Sequence, residues 1–493
     1  MRLSILLLAW LLILPVTAYS SSEQLKLTLK ESIRMAVEKN LDVRAELYNP
    51  AQFEADINRN RSIYDPLLVL QTEYTDSTNS PVGLIASGFA TNSQSFLLNS
   101  SISQLLWTGA NASINFNNSY TGINSSNYWQ TGLGASISQP LLKNAGRDAT
   151  EIAINVSRLS KFASLERFNA RLLTTVAQVR TEYFKLHSLL EERDVKKMSL
   201  DLARKILSET QARVKAGVLP AMEILNAEFG SVTREKELID AELAVKDQVD
   251  VLKLLLQVEF KNAELLIVDL PPRDLLNTVE EDAIRKAMDR PDIREQKSNL
   301  KIAELQTRVF SNKTRPDLSL TASASLTGKD STYQGNFDKV ITFDYPVWGV
   351  GLNFTYPLGN KAAENDYRKS RLKTEQTALQ IRSLEENATN EVRAAIRGIA
   401  TGFKQIEVSD RGRAFAEERL RAFIRKNEVG LATTKDVLDV ENDLAVSKSN
   451  QIKAVVGYAN ALTRYWQATG ELLEREGVRV VEGDADKLYS STH

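Results

Sequence analysis

The chain contains no cysteine and only two histidines, His187 and His493, among its 493 residues. Without cysteine it can form no disulfide and can carry no lipid on an N-terminal cysteine. Two histidines cannot build a histidine-rich metal site, and we predict no bound metal or other cofactor. Because His187 lies in a charged helical stretch, we expect it at the surface.

Charge of one sign and long apolar runs are also scarce. The 62 basic and 63 acidic residues give a net charge of -1, which provides no electrostatic footprint for nucleic acid. The apolar run at residues 5–14 is shorter than the roughly 20 residues of a membrane-spanning helix. It follows a charged start and precedes small residues, so we interpret residues 1–20 as a secretory signal peptide. Any membrane span must then be built from strands.

Catalytic motifs are missing as well. Neither histidine lies in a hydrolase-like Ser or Asp motif, and no glycine-rich phosphate loop follows a predicted strand. We therefore predict that the protein is not an enzyme.

The sequence does contain an internal repeat. The match begins at residues 31–36 and 282–287, continues with Gln139-Pro140-Leu141 and Tyr356-Pro357-Leu358, and ends without gaps at residues 217–228 and 430–441. A repeat of this length predicts one structural unit written twice. We assign the first repeat to residues 21–270, the second to 271–470, and a C-terminal tail to 471–493.

Each repeat contains a long helical segment with heptad spacing. Apolar residues recur at steps of three and four from Leu172 to Leu190, and again from Leu384 to Ile406. No proline occurs from Asn360 to Glu428, and an uninterrupted helix there would be about 100 Å long. These segments are typical of coiled-coil helices.

Between the helices the pattern changes to a period of two. From Pro66 to Leu142 only Glu73 and Asp76 carry charge, and apolar residues such as Ile114 alternate with small polar ones such as Asn115. Strands of about ten residues with this alternation are typical of a transmembrane β-barrel, and we assign its strands to 66–140 and 317–357. A soluble sandwich also alternates, although its wet face usually carries more charge.

The signal peptide, the repeated halves, the strands between heptad helices, and the glycine breaks followed by Asp436-Val437-Leu438-Asp439 together resemble the TolC-like outer-membrane efflux family. The resemblance implies an α+β membrane protein, a homotrimer whose strands close one barrel in outer-membrane lipid and whose helices form a periplasmic tunnel. It also implies a channel that receives substrates from an inner-membrane pump through a periplasmic adaptor protein, in an efflux or type I secretion system.

The first half departs from the family pattern of two strands, because it holds about four candidates: residues 67–75, 95–107, 111–120 and 129–139. The second half holds two, at 317–327 and 347–356. Six barrel strands in each of three chains would give roughly eighteen, an even number within the known range. Alternatively, the additional hairpin is extracellular or covers the barrel.

Two helix breaks are candidate contact sites. In the family such breaks meet the adaptor, so the resemblance assigns this role to Gly217, Val218, Val429, Gly430 and Leu431. The glycines also serve as ordinary helix caps in the simpler interpretation.

The resemblance further implies that Asp436 and Asp439 line the periplasmic aperture, with Glu223 at the equivalent place in the first repeat. In the simpler interpretation they are a solvated helix start. Asn427 and Ala432 replace a tyrosine and an arginine that lock the closed state in family members.

Pro140 and Pro357 lie where a predicted strand ends before a predicted helix. We interpret them as the barrel–helix junction, or alternatively as ordinary helix-start prolines.

Two other classes of protein remain as alternatives. A trimeric coiled-coil adhesin would carry one barrel segment at one chain end, and a periplasmic adaptor would lack membrane strands.

Overall fold

The computed structural model describes residues 25–79, 91–124, 126–258, 265–479 and 483–491, so the signal-peptide prediction lies outside the described residues. The helices are α1 (Leu29–Lys39), α2 (Leu41–Arg61), α3 (Arg147–Thr150), α4 (Ile152–Lys215), α5 (Met222–Leu256), α6 (Glu280–Ala287), α7 (Pro291–Lys313), α8 (Tyr333–Ile341), α9 (Lys361–Glu428), α10 (Thr434–Thr469), α11 (Leu472–Arg475) and α12 (Gly483–Ser490). The strands are β1 (Leu25–Leu27), β2 (Leu67–Asn79), β3 (Thr91–Leu105), β4 (Asn111–Ile123), β5 (Ser126–Pro140), β6 (Leu265–Ile267), β7 (Asp317–Asp330) and β8 (Pro346–Thr355).

Two helices are far longer than those of an ordinary globular domain. α4 has 64 residues and α9 has 68, so α9 matches the proline-free segment in which the sequence predicted one helix. Most residues that the heptad analysis placed on the packed side are buried in both helices, among them Val176, Val179, Val392 and Ile399, and the others are half-buried. The heptad prediction is therefore confirmed.

Within the described part of the chain, no helix combines the length and the hydropathy that a membrane-crossing helix requires.

The six long strands form one antiparallel sheet in the order β2-β3-β4-β5-β7-β8. The hairpin of β3 and β4 lies in the middle of this order, bonded to β2 on one side and β5 on the other. The hairpin is therefore part of the same sheet as the other strands, which contradicts the alternative that it is extracellular or covers the barrel. The turn of this hairpin contains Thr108 and Gly109, and Gly109 has a φ of 85°.

The register places most apolar residues of the six strands on one face, whereas a few, such as Leu97 and Val347, lie on the other. Ile114 pairs with Ile102 and with Ala135, and Leu320 pairs with Leu352. The opposite face, which we call the polar face, carries small and polar side chains such as Asn115, Ser136 and Ser323. Side chains of the apolar face are widely exposed in the single chain, as Leu70, Trp348, Val350, Leu352 and Phe354 illustrate. The alternation predicted from the sequence is confirmed.

The chain divides into two compact units, each of which draws segments from both sequence repeats. The first unit comprises the chain up to Leu41, Thr175–Asn277 and Arg397–Arg464. Its small parallel sheet pairs β1 with β6, and the Tyr183 hydroxyl lies 2.9 Å from the carbonyl oxygen of Leu27 and 3.2 Å from Asp269 Oδ2. Burial raises the pKa of Tyr183 well above its ordinary value.

His187 also belongs to the first unit, and the prediction that it lies at the surface is wrong. Its ring is half-buried, and Nδ1 is enclosed with no hydrogen-bond partner in the part of the chain that the structure describes. Burial lowers the pKa of His187, and the nearby Glu191 only partly opposes that effect. The charged neighbours in the sequence gave the wrong expectation because the helix turns this position inward.

The second unit comprises Asp42–Thr174, Thr278–Ile396 and the chain from Tyr465, and it contains the six-stranded sheet. Two ion pairs cross reciprocally between α4 and α7: Arg167 to Glu295 at 2.7 Å and Arg294 to Glu166 at 3.0 Å. Both glutamates are buried, so these pairs fix the beginning of α7 against α4.

Candidate functional site at the helix tips

The candidate site lies in the first unit, where α4 turns into α5 and α9 turns into α10. The two turns have the same hydrogen bonds. The N–H of Gly217 donates to Val214 O at 3.0 Å and that of Val218 to Arg213 O at 2.9 Å. The N–H of Gly430 donates to Asn427 O at 3.1 Å and that of Leu431 to Lys426 O at 2.8 Å.

These bonds are those of a helix end capped by a left-handed residue. Gly217 has a φ of 75° and Gly430 a φ of 79°, a conformation that residues with a Cβ adopt only at a cost. Both glycines are therefore helix caps, whatever else they contact.

The hydrophobic residues beside the glycines point away from the chain. Val218 is 70% exposed, Val429 69% and Leu431 76%. We call Val218, Val429 and Leu431 the tip patch. Large apolar side chains exposed on solvent-facing turns indicate a contact surface for another molecule.

The two turns are joined to each other. Arg213 Nη1 on α4 donates to the carbonyl oxygen of Asn427 at 3.1 Å and lies 3.3 Å from its side-chain Oδ1. The side-chain amide of Asn427 donates in turn to Ala432 O at 2.9 Å. Asn427, at the position where family members have a tyrosine, therefore connects the α4 end to the α9–α10 turn.

A small core lies under the tips. Leu420 of α9 and Val437 and Val440 of α10 are buried together, and half-buried residues of α4, α9 and α10 surround them: Leu202, Ile206, Phe423, Ile424 and Leu444. The residues Val437 and Val440, within and next to the sequence Asp-Val-Leu-Asp, thus hold α10 in place.

The three acidic residues of the site have different surroundings. Asp436 caps α10: its Oδ2 accepts from the N–H of Thr433 at 2.8 Å and from its hydroxyl at 2.7 Å, and its own N–H donates back to Thr433 Oγ1 at 3.1 Å. This is a capping box. The hydrogen bonds from the backbone and then the side chain of Thr433 hold the pKa of Asp436 below its ordinary value.

Asp439 lies one turn further along α10 and is exposed. Glu223 is half-buried at the start of α5, and its Oε2 is enclosed without a hydrogen-bond partner within the described residues. Of the three, Asp439 is thus the carboxylate most open to a passing ion.

One buried charge cluster was not predicted from the sequence. Arg234 of α5 donates to Glu441 of α10 at 3.1 Å, and Ser199 of α4 also donates to Glu441. Arg234 is 8% exposed and Glu441 is 4% exposed, so the pair is almost completely shielded from solvent. Glu441 is the last residue of the repeated stretch 430–441. Its partner Arg234 on α5 could not be predicted from local periodicity.

Glu237, next to this cluster, pairs with Arg234 at 2.9 Å and with Lys196 at 2.8 Å. Burial raises the pKa of Glu237, but the hydrogen bond from Lys196 and the charge of Arg234 outweigh burial and leave the pKa lowered. The cluster links α4, α5 and α10.

The prolines assigned to the junction lie in the second unit. Pro140 is the last residue of β5, and Pro357 follows β8 and accepts a hydrogen bond from the N–H of Asn360 at 3.1 Å. Neither lies in the first turn of α4 or α9, so the alternative of helix-start prolines is wrong.

Comparison with known proteins gives a consistent result. The model of the outer membrane efflux protein family matches residues 32–256 and 286–471. Among solved structures, the CmeC outer membrane channel of Campylobacter jejuni is 16% identical with a TM-score of 0.66, and the alignment covers 94% of this chain and 89% of that one.

Two further outer membrane proteins are similar in fold. VceC of Vibrio cholerae is 15% identical with a TM-score of 0.64, over 90% of this chain and 96% of that one. The open-state MtrE outer membrane channel of Neisseria gonorrhoeae is 18% identical with a TM-score of 0.61, over 92% and 91%. No curated protein sequence matches the chain. Because the two matched segments together span most of its length, the chain belongs to the outer membrane efflux protein family.

Proposed function

We propose that the protein is the outer-membrane exit duct of a tripartite efflux or type I secretion system, a passive homotrimeric conduit that docks a periplasmic adaptor and, through it, an inner-membrane pump. The observation that carries the proposal is the six-stranded sheet, which is apolar along one face and ends in two strands, β2 and β8, without a further partner strand among the described residues. Exposed edges of this length require a partner.

A second copy of the chain supplies that partner. The sheet has an even number of strands, so β8 of one chain and β2 of the next run antiparallel, like every other pair in the sheet. Three copies close about eighteen strands into one barrel, with the apolar face toward lipid and the polar face toward the pore.

The helix α5 supports the same assembly. Its large apolar residues recur at heptad spacing, and they are exposed in the single chain: Met222, Leu225, Phe229, Val232, Ile239 and Leu243. A heptad stripe of this kind packs against another helix. Because the stripe is uncovered in one chain, a helix of a neighbouring copy is the partner that fits it.

The entrance of the duct lies at the helix tips in this proposal. The tip patch and the glycine caps meet the adaptor, and Asp439, Asp436 and Glu223 of three copies surround the aperture. A ring of carboxylates attracts cations and repels anions. No observation favours the adhesin, since the strands occur in two internal blocks of the chain and not at one end.

The edge pairing can be tested with cysteines, because the chain has none of its own. Leu70→Cys in β2 is combined in turn with a cysteine at Trp348, Val350 or Leu352 in β8, and the protein is oxidised in the outer membrane. We expect disulfides between chains that end at a closed species of three chains. The absence of crosslinks in all combinations, or a ladder that continues beyond three, would contradict the proposed trimer.

Conductance of the crosslinked trimer in a planar bilayer then tests the conduit. If the closed trimer forms no ion-conducting pore, the proposed trimeric assembly is still supported but the proposed exit-duct function is wrong.

A further inference from the structure

The helix α8 lies between β7 and β8 and packs on the sheet from the apolar face. Its Asn336 contacts Thr131 of β5, which pairs in register with Asn118 of β4. Asn118 lies between Phe116 and Tyr120 on the apolar side of that strand. The helix begins after Thr332, whose side chain accepts from the N–H of Gly335 at 3.2 Å.

A buried polar group fixes α8 to the sheet. The side-chain oxygen of Asn336 accepts from the N–H of Thr131 at 3.1 Å, the Asn336 amide donates to Thr131 Oγ1, and that hydroxyl donates to Asn118 Oδ1 at 3.0 Å. Asn336 and Thr131 are 0% exposed, and Asn118 is 5% exposed. The helix thus covers the polar side chains that interrupt this otherwise apolar face.

The backbone of α8 approaches the sheet closely at one glycine. A Cβ on Gly328 would lie 2.1 Å from the carbonyl oxygen of Asn336, a distance that no side chain tolerates. The position of α8 is therefore determined by contacts with the sheet.

The side of α8 that faces away from the sheet is aromatic and aliphatic. Tyr333, Phe337 and Ile341 recur every four residues and are 46%, 38% and 59% exposed. A run of ring contacts connects this stripe to the sheet: Tyr120 to Trp129 at 5.0 Å, Trp129 to Tyr333 at 5.2 Å, and Tyr333 to Phe337 at 6.3 Å between centroids.

We propose that α8 is an interfacial helix that lies in the outer leaflet of the membrane, with Tyr333, Phe337 and Ile341 in contact with lipid at the boundary between acyl chains and head groups. The inference rests on the proposed function, because it requires that the apolar face meets lipid. Short amphipathic helices with exposed aromatic residues, and belts of Tyr and Trp, are typical of this boundary.

The position in the chain decides which leaflet the helix contacts. The connection from β7 to β8 lies at the strand ends opposite to those that continue into α4, α7 and α9. If the long helices extend into the periplasm, α8 is at the outer rim. β5 and β7 are inner strands of the sheet, so α8 lies away from the edges where a second copy would pair.

Spin labels measure the depth of the helix. Single cysteines replace Ile341 or, in a second variant, Phe337, and carry a nitroxide in the full-length trimer reconstituted in phosphatidylcholine vesicles. Controls carry the label at Val350 on the apolar face and at Ser323 on the polar face. Collisions with oxygen, which concentrates in lipid, are compared with collisions with a water-soluble nickel chelate.

We expect an oxygen-to-nickel ratio at 341 and 337 that is several-fold above that at 323 and below that at 350. A ratio equal to that at 323 would place α8 in water, and shielding from both reagents would place it against protein; either result overturns the inference. If the label at 350 is also accessible to nickel, the apolar face does not meet lipid and the proposed function fails as well.

Discussion

At the scale of the residue, the alternation of the strands leads to a matched pair of substitutions. Leu352 on the apolar face and Asn353 on the polar face are neighbours in β8, and both are exposed in the single chain. Leu352→Arg places a charge against lipid and is expected to cost about 2 to 4 kcal/mol near the bilayer midplane, whereas Asn353→Arg places it in the pore. Heat resistance of trimers from the outer membrane measures the difference. Equal loss in both variants would mean that the faces are assigned wrongly.

Asp436 and Asp439 lie one helical turn apart, yet their surroundings separate their roles. We expect Asp439→Asn to reduce the cation selectivity of the trimer in a planar bilayer without changing thermal unfolding of the tip. Asp436→Asn should reduce selectivity and also weaken the start of α10, because it removes the carboxylate of the capping box.

The lowered pKa of Asp436 makes the stability of this helix start depend on pH. A carboxyl whose folded-state pKa is lowered stabilises the fold above its ordinary value of 3.8, and this contribution is lost as the pH falls through the folded-state pKa. Unfolding of Asp436→Asn should therefore lose part of the acid sensitivity of the wild type. Unchanged selectivity in both variants would remove the acids from the aperture and leave them as a solvated helix start.

At the scale of the element, the buried pair of Arg234 and Glu441 connects α5 to α10. Glu441→Ala removes the buried partner of Arg234 and leaves that arginine with only Glu237. We therefore expect a loss of about 3 kcal/mol in the free energy of unfolding, at the lower end of the range for a broken buried pair. The matched control is Glu235→Ala, which breaks an exposed pair with Arg204 and should cost about 1 kcal/mol or less. Chemical denaturation followed by circular dichroism measures both. Similar values for the two variants would show that burial does not strengthen the inner pair.

At the scale of the whole molecule, the proposed function makes the tip patch the contact with the periplasmic adaptor. Leu431→Glu should abolish export while trimers of normal heat resistance still reach the outer membrane. Leu431→Met keeps an apolar side chain of similar size at the same place and should retain export. Substrate accumulation in cells that express each variant at equal levels is the measurement. Normal export by Leu431→Glu would remove this residue from the docking surface.

Much of this molecule follows from local periodicity. The alternation from Ala112 to Tyr120 and the heptads from Leu172 to Leu190 repeat within a few residues, so the sequence alone determined strand, helix and the buried side of each. The left-handed glycines at 217 and 430 are local properties too. The ordered set of these features was sufficient for the efflux-family resemblance, which the family match confirms.

Only the tertiary structure decided what depends on residues far apart in the sequence. The two blocks of strands form one sheet only because β5 pairs with β7. That pairing, like the contacts of Asn336 with Thr131 and of Arg234 with Glu441, joins residues about two hundred positions apart. The spacing of Tyr333, Phe337 and Ile341 fits a helix. A helix of only nine residues, however, is too short for its period to distinguish it from a loop. Such contacts depend on the relative placement of whole elements, and no local pattern encodes that placement.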